Sequence, residues 1–148
     1  MAKTLIVYGS TTGNTETTAI EIGNVLGKEG HEVVLQDVSK SKVEDLGNGY
    51  DLTLLGSSTW GDDEIEFQED FASFFEEMDN ADLKDKKVAV FGCGDSTYTY
   101  FCGAVDELQA KVESLGGKVV VESLKIDGDP GDVTDEIVGW AQEVAAAL

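Results

Sequence analysis

The sequence predicts an α/β fold: a doubly wound sheet of five parallel strands with helices on both faces. Two observations carry this expectation. Short β-branched-rich segments alternate with longer stretches whose apolar residues recur at helical spacing. Three of the short segments are nearly continuously apolar, as strands covered on both faces must be.

The first strand is placed at Lys3 to Tyr8, around the unbroken run Leu5, Ile6 and Val7. A helix over Thr15 to Lys28 follows, with Ala19, Ile22 and Leu26 on one face. The second strand, His31 to Asp37, alternates more and belongs at an edge. The third, Asp51 to Gly56, precedes a helix over Phe67 to Met78 that carries Phe71, Phe74, Phe75 and Met78. The fourth, Lys86 to Phe91, leads to a helix over Ala104 to Leu115 with Leu108, Val112 and Leu115. The fifth, Lys118 to Ile126, leads through a turn at Asp127 to Gly131, which holds the single proline, Pro130. The last helix, Thr134 to Leu148, aligns Ile137, Val138, Ala141, Val144 and Leu148. No repeat or linker divides the 148 residues, so one domain spanning 1–148 is expected.

Thirty acids against ten bases give a net charge of −20, which repels nucleic acid and anionic membrane surfaces and favours basic partners. With 41% apolar residues in regular runs, that acidity belongs to a folded surface rather than a disordered chain. No apolar stretch approaches the roughly 20 residues needed to span a bilayer. Met1 to Thr4 runs straight into the first strand without a secretory leader, so a cytoplasmic location is expected. Cys93 and Cys102 have the spacing of neither a zinc site nor a thioredoxin-like pair, and Asp127 and Asp129 lack a companion ligand set, so no metal is expected. His31 reads as a surface residue and Trp140 as a packed residue of the last helix.

In an open parallel sheet, ligands bind beyond the carboxyl ends of the strands, where neighbouring crossovers diverge. The loop after the first strand, Gly9-Ser10-Thr11-Thr12-Gly13-Asn14-Thr15, offers four hydroxyls, an amide and two glycines at a helix start. Such a loop cradles a phosphate without a cation. It lacks the lysine and the glycine spacing of a nucleotide-triphosphatase loop, which points to a monophosphate. Serine, threonine and asparagine serve equally as helix caps, and this loop alone does not separate the two uses.

After the third strand, Ser57-Ser58-Thr59-Trp60-Gly61-Asp62-Asp63 puts an indole on a polar strand end, suited to stacking on a planar heteroaromatic or to packing back on the sheet. After the fourth, Gly92-Cys93-Gly94-Asp95-Ser96-Thr97-Tyr98-Thr99-Tyr100-Phe101-Cys102-Gly103 carries three aromatics among turn residues. Thr97 stands where a dinucleotide fingerprint needs its third glycine, which disfavours NAD.

Together, these three loops resemble the flavodoxin family, in the short form typical of sulfate-reducing bacteria, over essentially the whole chain. That family is itself the general example of strand order 2-1-3-4-5 with FMN at the switch point, so this order is implied by the resemblance and not read from spacing. The resemblance implies that Ser10, Thr11, Thr12, Gly13, Asn14 and Thr15 hold the FMN phosphate and that Trp60 and Tyr98 sandwich the isoalloxazine. Ser58, Thr59 and Asp62 would lie near the ribityl chain or ring. Cys93 and Gly94, with backbone groups around Asp95, Tyr100, Phe101 and Cys102, would border the pyrimidine edge. The Gly61 carbonyl would turn toward flavin N5 when that atom gains a proton, a rotation that glycine permits cheaply.

The implied function is low-potential one-electron carriage by non-covalently bound FMN, cycling mainly between semiquinone and hydroquinone. The chain would be a monomer that shuttles electrons between redox proteins with basic docking surfaces and has no substrate reaction of its own. The stretch Asp62 to Asp79 holds nine carboxylates and no base beside Trp60. One such charge at about 10 Å and an effective dielectric near 20 opposes an anionic flavin by roughly 1–2 kcal/mol before screening. A response-regulator receiver would need acids at the ends of the first and third strands, where Gly9-Ser10 and Ser57-Ser58 stand. An FMN-dependent quinone reductase is the alternative, but it normally needs insertions or oligomer contacts to form a substrate pocket. Gly61→Ala should reduce semiquinone accumulation in an anaerobic spectroscopic titration, and an unchanged yield would count against the role given to Gly61.

Overall fold

Burial on both faces dictates the centre of the sheet. In β1 (Lys3–Gly9), Leu5, Ile6 and Val7 are all fully buried. Leu5 and Val7 point into one core and Ile6 into the other, the period-two alternation of a strand with two covered faces. The computed structural model describes residues 2–9, 13–46, 49–57, 59–60, 66–67, 69–94 and 103–147. Within them, β1 is followed by α1 (Asn14–Lys28), β2 (Glu32–Asp37) and β3 (Leu52–Ser57). Next come a short hairpin of β4 (Thr59–Trp60) and β5 (Glu66–Phe67), then α2 (Glu69–Glu77) and β6 (Lys87–Gly94). The chain continues through α3 (Gly103–Ser114), β7 (Lys118–Val119), β8 (Leu124–Asp127) and α4 (Thr134–Ala146).

The main sheet runs β2-β1-β3-β6-β7, with β8 also pairing with β6. All its pairings are parallel. Because β7 and β8 together form the fifth strand, the order is the 2-1-3-4-5 implied above. As the alternation predicts, β2 is a partly exposed edge. Between β2 and β3 the chain crosses on two 3₁₀ turns, Val38–Lys40 and Val43–Asp45, whose Val38 and Val43 are buried.

One core lies under α2 and α3, where Phe71, Phe74, Val105, Leu108 and Val112 meet Leu5, Leu55, Val88 and Val90. The other lies under α1 and α4, where Ala19, Ile22, Leu26, Ile137, Trp140 and Val144 meet Ile6, Leu54, Ala89 and Phe91. The helix expected over Phe67 to Met78 is shorter at its start, because Phe67 pairs with Thr59 in the hairpin. Met78 is fully buried but begins a 3₁₀ turn. Lys111 connects α3 to that turn, 2.9 Å from Asp79, with its ammonium 4.8 Å from the Phe75 ring centroid.

The fifth strand departs from the continuous segment expected at Lys118 to Ile126. While β6 advances three residues from Val88 to Phe91, its partner advances five, from Val119 to Leu124. Two residues therefore bulge out of register, and β7 and β8 are separate strands. The buried Trp140 supplies the physical reason: its indole Nε1 donates to the Glu122 carbonyl at 2.7 Å and its ring packs on Phe91. The bulge gives the buried indole a partner and the displaced carbonyl a donor.

Phe91 fits because Gly56 has no side chain: a Cβ there would stand 2.2 Å from the ring. Gly56→Ala should therefore destabilise the fold by about 1–3 kcal/mol through overpacking. Urea unfolding would measure this, and an unchanged midpoint would contradict the packing.

Candidate functional site

Every parallel strand of the main sheet ends at one edge, and the connections leave that edge in opposite directions. β1 passes through α1 on one face, whereas its neighbour β3 passes through α2 on the other. In open parallel sheets the ligand crevice lies at such a divergence, here at the ends of β1 and β3. Gly9 lies in register with Ser57, and Gly94 of β6 in register with Asp127 of β8. β1, β3 and β6, which the three sequence-predicted loops follow, all end at this edge.

On the β1 side, α1 begins directly after Gly13, whose backbone is left-handed at φ 94° and ψ −8°. Its carbonyl accepts the Thr17 N–H at 2.9 Å. A helix start carries partial positive charge on its N–H groups and suits an anion. Asn14 reaches sideways, its amide 3.4 Å from the Gly128 carbonyl, while Gly128 N–H donates to the Gly94 carbonyl at 3.0 Å. The turn after β8, legible in sequence only as a turn, thus lies between the first loop and the third.

Thr15 is fully buried at the helix start. Cys93 is a free, buried cysteine, as expected, and its side chain faces the core under α1. Burial pushes its thiol up from the ordinary range, against the hydrogen bonds of Thr18 and Thr15 that pull it down. Thr18, which the sequence did not single out, lies 3.5 Å from that sulfur. Tyr8, also not anticipated, is partly exposed at the end of β1, and its phenol is pushed up by desolvation and by the nearby charges of Glu16 and Asp37.

On the other side of the crevice, Trp60 belongs to the β4–β5 hairpin, its backbone opposite Glu66. The sequence expected a loop here, because a two-residue strand shows no periodicity. Of the residues expected at the site, Gly13, Asn14, Thr15, Cys93 and Gly94, with the backbone of Thr59 and Trp60, are brought to this edge. Ser10, Thr11, Thr12, Ser58, Gly61, Asp62, Asp95, Tyr98, Tyr100, Phe101 and Cys102 lie outside the described residues. No group of metal-binding residues occurs among the described ones.

A cleft of about 520 Å³ opens at the opposite, amino edge, lined in part by His31, Tyr50 and Asp51. There His31 Nδ1 accepts the Ala2 N–H at 3.0 Å, a structural use for a residue expected at the surface. Asp85 and Lys86 also line the cleft, so it has no single sign of charge. Gly13→Ala should cost about 1–2 kcal/mol of stability, because a Cβ meets nothing within 4 Å but must adopt a left-handed backbone. Thermal unfolding would measure this, and an alanine variant as stable as the parent would contradict that conformation.

Comparison with known proteins agrees with this geometry. A family model described as flavodoxin matches residues 6–140. A flavodoxin of Maridesulfovibrio salexigens is 56% identical, covering 98% of each chain. A flavodoxin of Nitratidesulfovibrio vulgaris is 49% identical over the whole of both chains. The crystal structure of oxidised flavodoxin 2 from Bacillus cereus superposes with a TM-score of 0.91 at 40% identity, over 99% of this chain and 100% of that one. With these matches over its full length and a switch-point crevice at the expected edge, the chain belongs to the flavodoxin family.

Proposed function

We propose that the chain is a single-domain, low-potential carrier that holds FMN non-covalently at the β1–β3 crevice and docks through its acidic surface on basic redox partners. The observation that carries this reading is the start of α1: a helix N-terminus with a left-handed glycine before it, at a topological switch point. Its donors fit a monophosphate. They are backbone N–H groups and the Asn14 amide, in a segment without a lysine or arginine between Lys3 and Lys28.

Bound FMN supplies the redox chemistry, accepting and releasing electrons one at a time. The protein's residues determine how readily that happens. Gly13, Asn14 and Thr15, with Ser10, Thr11 and Thr12, would hold the phosphate, while Trp60 and Tyr98 would cover the ring and exclude water. Backbone groups from Cys93 to Asp95 and from Tyr100 to Cys102 would border its polar edge, with Ser58, Thr59, Gly61 and Asp62 beside it.

On α2 and the turn beyond it, Asp70, Glu76, Glu77 and Asp79 are exposed carboxylates. Asp70, in the first turn of α2, opposes added negative charge in the crevice, which lowers the potential for the last electron, whereas Glu76, Glu77 and Asp79 lie at the far end of the helix, where Asp79 pairs with Lys111. The same charges attract a basic partner and speed its encounter, an effect that salt screens. No helix among the described residues is long and apolar enough to cross a membrane. This reading gives the chain no substrate reaction of its own, the electron being passed from one partner protein to the next.

Stepwise anaerobic reduction after adding FMN tests the assignment. A stable blue colour near half reduction is the expected result. Passage straight from yellow to colourless, or turnover of a small quinone with NAD(P)H by the protein alone, would overturn the carrier assignment. Failure to bind FMN would overturn the site.

A further inference from the structure

Thr18 is fully buried in the second turn of α1, and its Oγ1 donates to the Asn14 carbonyl at 2.9 Å. That bond alone would satisfy a helical threonine. Yet the same oxygen also lies 3.5 Å from Cys93 Sγ, on a different element. Either atom can donate in that contact, which ties the helix to β6. The sulfur of β6 therefore supports the hydroxyl that holds the carbonyl of Asn14.

Asn14 and Thr15 open the helix, so whatever sets their height above the sheet also sets where the first N–H groups point. Hydrogen bonds to an anion weaken steeply when misaligned. A purely apolar contact between α1 and β6 would bury the same surface but would leave rotation of the helix start unconstrained, because hydrophobic packing is non-directional. The Asn14 amide, 3.4 Å from the Gly128 carbonyl, restrains the same turn from the side.

We infer that Thr18 and Cys93 are positioning residues for the phosphate of FMN: without touching it, their buried contact sets the start of α1 against β6. The inference rests on the reading that this helix start receives the phosphate. Riboflavin, which has the same ring and no phosphate, separates positioning from general structural support.

The test compares FMN and riboflavin affinities of the apoprotein, by quenching of flavin fluorescence, in Thr18→Val and Thr18→Ser. Thr18→Val should weaken FMN binding roughly three- to tenfold while riboflavin affinity stays within about twofold, which also shows that the fold is intact. Thr18→Ser, which keeps the hydroxyl, should retain the parent ratio. Equal losses for both flavins, or an unchanged ratio in Thr18→Val, would overturn the inference. A parent protein that binds the two flavins equally well would overturn the phosphate reading beneath it.

Discussion

The parallel pairing of β1 with β2 on one side and β3 on the other is the constraint on which the other features depend. A parallel pair cannot be closed by a tight turn, so each of these strands needs a crossover. With β1 already covered by α1 on one face, α2 covers the sheet on the other. The crevice follows from that division of labour. It lies where Gly9 and Ser57 end in register and the chain leaves them in opposite directions. Its walls are made rigid by strands whose side chains are buried on both faces, among them Leu5, Ile6, Leu54, Leu55, Val90 and Phe91.

A helix start takes the place of a lysine in this site. A lysine beside the phosphate would neutralise it more strongly, but would also add positive charge near a flavin that a low-potential carrier has to keep difficult to reduce. Backbone dipoles act mainly within one helical turn. They can hold an anion at the β1 end of the crevice while the carboxylates of α2 dominate the field farther away. The charge distribution of the chain is consistent with that separation of roles: Glu16 is the one acid in the first turn of α1, whereas Asp70, Glu76, Glu77 and Asp79 line α2 and its extension.

Much of this was legible in the residues because the signals are local. The runs around Leu5 to Val7 and Val88 to Phe91 announce strands covered on both faces, and the helices of Ala19, Ile22 and Leu26 or of Leu108 and Val112 declare themselves by spacing. Two features escaped for opposite reasons. In the last strand, Val119, Val120 and Val121 are all β-branched and read as continuous, so nothing in the run reveals a bulge required by the Trp140 indole packed above it. The β4–β5 hairpin is two residues a side and shows no period at all. In the proposed site, the glycine and asparagine of the first loop stand out by their chemistry, but Thr18 does not, since a threonine within a helix has no distinguishing neighbours in sequence.

The sequence by itself determined the fold class and the loops that carry polar and aromatic groups, because strand burial, helical spacing and turn chemistry are written in neighbouring residues. It also determined the charge of the surface, which needs only counting. Tertiary structure alone decided which loops share an edge with which turn: that Gly128 comes beside Asn14, that Cys93 comes beneath Thr18, and that β6 has a partner with two extra residues. Those relations join residues distant in the chain, and they are set by the packing of two cores against a single sheet.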